Sequence, residues 1–331
     1  MESSRARRSR RAHPSRRRPL LYTALATVAV LGATAGGTVY VKAQAHARAG
    51  AVSSSSPTPS ASASASESGS EEMTVETVAV PEPDHDALLA SAMKSVTVPD
   101  DAAVSVAVLD MDSGDSATYG ARAFDTASIV KVDILATLLL QAQQADRRLT
   151  AAEKSYATAM IENSDNVSAS ELWRIIGKAE GLDAANEVFG LTGTEGGDDM
   201  LWGLTQTTAA DQLRLLQQVF GDDSKLSEAS QSYLQGLMRQ IAADQHWGVS
   251  AAADGSSWAL KNGWLARSTT ALWDVNSIGR VTVDGRDYLV AVLSNGNATQ
   301  ATGISLVESV AQAAVSVFTD GTASASASAT E

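Results

Sequence analysis

The pattern of apolar and polar positions divides this chain into unlike parts. Residues 20–41 form an uncharged run of 22, long enough to cross a bilayer as a helix of roughly 20 residues. Residues 42–83 alternate Ala, Ser, Pro and Glu without an apolar face, as do residues 321–331. Such segments cannot offset their ordering entropy and are expected to be a disordered tether and tail. Periodic patterning occupies residues 84–320. There, 88–94 is spaced as a helix, 104–110 alternates as a strand, and Ser113-Gly114 turns it toward a second strand at 117–119. Helical spacing follows over 128–145, 150–161, 167–176, 183–189, 208–220 and 227–238, with Thr150 and Glu153 forming a capping box. Alternation returns at 258–264, 273–283 and 288–294, and an amphipathic helix at 304–318 ends the series. Two strands, a block of helices, then three strands and a helix predict an α+β domain. Its antiparallel sheet, of about five strands, is built from both ends of the segment, with a helical lobe inserted.

Charge and composition narrow the reading. The head, residues 1–19, holds eight arginines and Glu2, which sets the N-terminus in the cytoplasm and the rest outside. A signal anchor is favoured because the apolar run exceeds the 7–15 residues usual in a cleaved signal. The alternative is a secreted chain cut after Ala43-Gln44-Ala45. The head supplies +7 of the net −13, leaving −20 elsewhere; so acidic a body repels phosphate backbones, and no nucleic acid is expected as a partner. There is no cysteine among the 331 residues, which excludes disulfides, thiol catalysis and thiolate metal sites. Of the four histidines, His13 and His46 precede the patterned segment and His85 is at its edge, leaving His246 as the interior candidate; beside Trp247 it reads as a packing or loop residue. A Ser-His-Asp triad, a histidine zinc site and a cofactor are therefore not expected. The domain is expected to act as a monomer.

Three short motifs carry the candidate chemistry. Ser128-Ile129-Val130-Lys131 puts a lysine one helical turn from a serine, where a desolvated, partly neutral amine can serve as base to the hydroxyl. The same spacing recurs at Ser91–Lys94, but that pair precedes the first strand in a turn that reads as solvated. Ser164-Asp165-Asn166 falls between two helices: Ser164 can pass a proton to a leaving nitrogen and Asn166 can hold a substrate carbonyl. Lys261-Asn262-Gly263 lies on a strand, where Lys261 adds a second cation and Gly263 lets a substrate approach the edge. Backbone N–H groups of Ser128 and Trp264 would form an oxyanion hole, with the Trp264 ring walling the pocket.

In this order the motifs resemble those of class A β-lactamase-type, penicillin-recognising serine hydrolases. The resemblance covers residues 86–318. It implies an α/β sandwich lobe plus an all-α lobe, Ser128 as acylated nucleophile, Lys131 as its base, and a β-lactam or cell-wall peptide as small-molecule substrate. Three departures stand out. Only 36 residues separate Ser128 from Ser164, Asn262 replaces the usual hydroxyl residue, so that its amide would donate to a substrate carboxylate with different geometry, and the Glu-x-x-Leu-Asn loop of the deacylating glutamate is missing. Glu195, Asp198 and Asp199 are the substitutes within reach in sequence, although a glycine-flanked acidic run more often forms a solvated loop. The leading expectation is a membrane-tethered serine hydrolase acting through an acyl-enzyme. A penicillin-binding sensor without turnover and a peptidoglycan D,D-carboxypeptidase are the alternatives.

Overall fold

The computed structural model describes residues 83–327, with side chains as far as Thr319. The head, membrane span and tether expected before residue 83 lie outside the described residues. In chain order the elements are α1 (His85–Ala92), β1 (Ala103–Asp110), β2 (Ser116–Tyr119), β3 (Phe124–Asp125), α2 (Val130–Gln144), α3 (Ala151–Glu162), α4 (Asn166–Ile176) and α5 (Lys178–Phe189). They continue as β4 (Gln206–Thr207), α6 (Ala209–Phe220), α7 (Glu228–Met238), β5 (Trp258–Ala266), β6 (Trp273–Val283), β7 (Arg286–Asn297) and α8 (Gln300–Ala327).

Helix starts follow the hydroxyl and carboxylate residues that precede them. Thr150 and Glu153 form both halves of a capping box on α3, and the side chains of Asp165, Thr208 and Ser227 accept a backbone N–H of the first turn of α4, α6 and α7. Each such cap is worth about 1 kcal/mol. Gly177, at φ 98°, ends α4 in the left-handed region, which other residues adopt only at a cost. Between β6 and β7 the chain reverses at Asp284-Gly285, both with positive φ, the requirement of a tight primed hairpin turn.

The five-stranded sheet has the order β2-β1-β7-β6-β5, with every neighbouring pair antiparallel. Strands from both ends of the domain thus share one sheet, as the pattern predicts. Its two faces bury separate clusters. On one, Ala107, Ala259, Ile278, Leu289 and Ala291 pack against the helical lobe, including Met160, Trp173 and Leu216. On the other, Val106, Leu260, Val275, Val290 and Val292 meet Val307, Val310, Ala311 and Ala314 of α8, and Leu89 of α1. Fully burying a Val or Leu side chain contributes about 1.5–3 kcal/mol, so the strict alternation of these strands fixes which residues face which cluster. α2 is different: all of Val130 to Leu140 is buried, as befits a helix enclosed on every side.

Two elements depart from the pattern. β3 and β4 form a separate pair in which Phe124 faces Thr207 and Asp125 faces Gln206; two residues are too few for alternation to show. α8 continues to Ala327, beyond the boundary at 320, because alanine and serine extend a helix already nucleated at little cost.

Candidate active site

Ser128, the candidate nucleophile, sits on a turn held by neighbouring elements. β3 leads into Thr126, whose N–H donates to Thr205 O at 2.9 Å. Asn276 on β6 donates its amide to the carbonyls of Asp125 (2.9 Å) and Thr126 (3.0 Å), while its own carbonyl accepts from Ser294 N. Ala127 then takes φ 47°, a left-handed conformation that costs a non-glycine residue about 1–2 kcal/mol and persists only where neighbours impose it. Ser128 is half-buried in the single 3-10 turn Ala127–Ile129, and α2 begins at Val130. The serine therefore precedes the α-helix expected to start with it.

Lys131, fully buried one turn on, donates to Ser128 Oγ at 3.0 Å. The same ammonium reaches Ser164 O (2.7 Å), Ser164 Oγ (2.9 Å) and Asn166 Oδ1 (2.8 Å). The second motif can converge here because Ser164 adopts φ 54° between α3 and α4, turning its carbonyl and hydroxyl the same way. Asp165 caps α4 through Ser168 N at 2.7 Å. Its carboxyl is held below the ordinary range by those Ser168 hydrogen bonds, with Lys131 assisting.

From β5 comes the second lysine. Lys261, also fully buried, donates to Ser164 Oγ (3.2 Å), Gln245 Oε1 (3.3 Å) and Asn262 O (2.9 Å). Burial is the main cause of both lysines' lowered pKa. It pushes Lys131 down to about 7, with Asp165 opposing, and holds Lys261 well below its ordinary value, with Lys131 adding to the effect. The two interact and titrate as a pair.

The remainder of the third motif is placed otherwise than expected. Side chains on a strand alternate faces, so Asn262 and Trp264 lie opposite Lys261. Asn262 is buried, its amide donating to the carbonyls of Gln245 (2.8 Å) and Trp247 (3.0 Å). It ties a loop to β5 and has no side-chain donor left for a substrate. The Trp264 ring packs with the α8-side cluster, 5.8 Å from the ring centre of Trp247, and does not wall the pocket. Gly263 admits the protein's own backbone: a Cβ there would stand 2.7 Å from Ser128 N and 2.8 Å from Thr126 O.

The aromatic group at the site is instead Trp202, whose ring centre lies 5.0 Å from Lys131 Nζ and whose indole N–H donates to Ser170 Oγ on α4 at 3.2 Å. The loop between α5 and β4 delivers it. That loop is pinned by Asp211 Oδ2 to Gly193 N and Thr194 Oγ1, by Asp183 to Gly196 N, and by Thr205 Oγ1 to Gly197 N. Its acidic residues turn outward: Glu195, Asp198 and Asp199 are exposed, and Asp199 pairs with Lys178 at 3.6 Å. None of the three meets Ser128 or Lys131. Among the described residues no carboxylate lies within 4.0 Å of either lysine ammonium.

Other candidates stay apart. Ser91 and Lys94 are exposed near the end of α1. His246 packs edge-on to Trp258, ring centres 4.6 Å apart, and bonds Ile241 O at 3.0 Å. Trp202, Gln245 and Asn276 carried no motif; only their proximity in space reveals them.

Comparison with known proteins agrees with this architecture. Among solved structures, PBP-A superposes with a TM-score of 0.62 at 20% identity, covering 71% of this chain and 96% of that one. A PBP-A mutant in an acyl-enzyme complex with penicillin G gives 0.61 at 19% identity, covering 71% and 97%. An ancestral class A β-lactamase gives 0.57 at 20%, covering 71% and 100%. At such identities the likeness is one of fold. No curated protein matches the chain in sequence. The sequence model of the beta-lactamase enzyme family, however, matches residues 152–318, half of the chain and including the second and third motifs. With that match and the shared fold, the chain belongs to the beta-lactamase enzyme family.

Proposed function

We propose that the protein is a serine hydrolase acylated on Ser128 by a β-lactam or a related amide or ester. The observation that carries this reading is a buried amine with a pKa of about 7, 3.0 Å from a serine hydroxyl. Neutral Lys131 takes the Ser128 proton as Oγ attacks the carbonyl carbon. The N–H groups of Ser128 and Trp264 stabilise the resulting oxyanion. Ser164 Oγ accepts hydrogen bonds from both lysines, so its own proton is directed to the leaving group and is replaced by the one Lys131 took from Ser128; the C–N or C–O bond breaks and an ester to Ser128 remains. The Asn166 amide steadies the substrate.

Release of the acyl group is the slow half. Trp202 and neutral acceptors surround Lys131, and among the described residues no carboxylate lies within 4.0 Å of it to activate water, which favours a long-lived acyl-enzyme over efficient β-lactam turnover. Incubation with a penicillin or a reactive ester, followed by intact-mass measurement, tests the reading. We expect a stoichiometric adduct on the wild type and none on Ser128→Ala; equal adducts on both would refute it. A burst of one equivalent with a chromogenic cephalosporin marks the long-lived acyl-enzyme, whereas steady turnover of many equivalents marks a β-lactamase. Release of D-alanine from a pentapeptide would mark a D,D-carboxypeptidase. Residues 1–41 support export and attachment to the cell membrane, with the catalytic domain outside.

A further inference from the structure

The cations of this site are already committed to the protein's own acceptors. Lys261 has three N–H donors and three internal acceptors, Ser164 Oγ, Gln245 Oε1 and Asn262 O, and no exposed surface. Lys131 is equally buried and is shared among four acceptors. Arg267, which follows β5 beside the nucleophile turn, pairs with Asp125 and lies 3.7 Å from Asp274. The Asn262 amide, next in line on β5, faces away. A substrate carboxylate entering the cleft would have to displace one of these bonds before gaining its own.

The surroundings of the cleft add to this. On the loop that carries Trp202, Glu195 and Asp198 are exposed and line one depression together with Leu201; among the described residues neither has an ion pair within 4.0 Å. Two unpaired carboxylates repel an anion. Two large apolar side chains next in sequence to site residues also stand out into solvent: Val167, after Asn166, is 70% exposed and Leu201, before Trp202, is 54% exposed.

We propose that the acyl donor of this site is an uncharged ester or amide with no carboxylate beside the scissile bond, received next to the Trp202 ring. This inference rests on the acyl-enzyme reading above and names its substrate class. Charge-assisted recognition of a carboxylate is worth roughly ten- to hundredfold per hydrogen bond, so its absence is measurable.

Penicillin G and its methyl ester share the reacting amide and the acyl group and differ in that one charge. With the full chain, the rate of Ser128 adduct formation is followed by intact mass for each, and divided by the compound's own rate with hydroxide. The expected result is an ester that acylates at least as fast as the acid, or an acid ahead by no more than about threefold, well below one charge-assisted hydrogen bond. A larger advantage for the acid overturns the inference and leaves the acyl-enzyme reading intact. No adduct from either compound, nor from p-nitrophenyl phenylacetate, overturns the acyl-enzyme reading and this inference with it.

Discussion

Trp202 stands over Lys131, its ring centre 5.0 Å from the ammonium. Two opposite effects follow. The ring face favours the charged amine by about 0.5–1 kcal/mol, while the bulk of the indole excludes the water that would solvate that charge. Since burial is the largest cause of the lowered Lys131 pKa, the second effect wins. Trp202→Ala should therefore move the pH midpoint of acylation upward from about 7. Each unit of movement lowers the rate on the acid side roughly tenfold. Stopped-flow acylation between pH 5 and 9 reads this directly, and a midpoint that stays put or falls would mean the ring does not desolvate the lysine.

Lys131 acts as a base only when neutral, so wild-type acylation should rise with pH through about 7 and then level off. Lys131→Arg keeps the cation but never loses its proton. It should lose acylation by about 10²- to 10⁴-fold, the usual contribution of general-base catalysis, on the plateau above pH 7, with the gap narrowing at lower pH, where Lys131 is itself protonated. Single-turnover rates compared with those of the wild type check both statements.

Gly263 and Gly236 should respond oppositely to alanine. At 263 the new Cβ meets backbone atoms of Thr126, Ser128 and Ile129 at 2.7–2.8 Å, which cannot yield without shifting Ser128. Gly263→Ala should cost about 1–3 kcal/mol of stability and, by displacing Ser128, on the order of 10²-fold in acylation. Gly236, inside α7, has open space around it; Gly236→Ala should stabilise by roughly 0.5–1 kcal/mol without touching the rate. Urea unfolding alongside acylation kinetics separates the two cases.

Asp133, two residues beyond Lys131, is buried, and the Asn186 side chain beside it offsets only part of the cost of ionising it there. Burial, with Asp183 and Asp211 nearby, pushes it up to about 8. Above the unfolded value of about 4 the native state binds the extra proton, so stability falls as pH rises from about 4 to about 8. Asp133→Asn should remove that slope, leaving stability unchanged near pH 4 and raising it by about 3–5 kcal/mol at pH 8. Denaturant midpoints at pH 4, 6 and 8 decide it; a gain independent of pH would point to packing instead.

The periodic parts of the chain were legible because each strand or helix had to bury one face. Residues 273–283 read as a strand with the same limits in both sequence and structure, and the caps at Thr150, Thr208 and Ser227 mark their helices in both. Asn262 and Trp264 lie outside the pocket because side chains alternate along a strand: with Lys261 toward the helical lobe, of the residues 262–264 only Gly263 shares its face. Trp202, Gln245 and Asn276 were not legible, because each acts through a partner distant in sequence: Lys131, Lys261 and the carbonyl of Thr126. The acidic loop was ambiguous because sequence shows that a carboxylate is present without showing which way it turns. Here Asp183 and Asp211 hold the glycines inward and send Glu195, Asp198 and Asp199 out.

The strand order has a consequence for how the protein comes into being. β7 lies between β1 and β6, yet it is the last strand to be synthesised. Until it emerges, the hairpin of β1 and β2 and the hairpin of β5 and β6 share no strand, and the turn bearing the serine has no continuous floor beneath it. The helices, whose contacts are more local, can gather earlier. The sheet beside Ser128 therefore closes only once nearly the whole domain is available to fold, and chains short of that stage expose unpaired edges to one another.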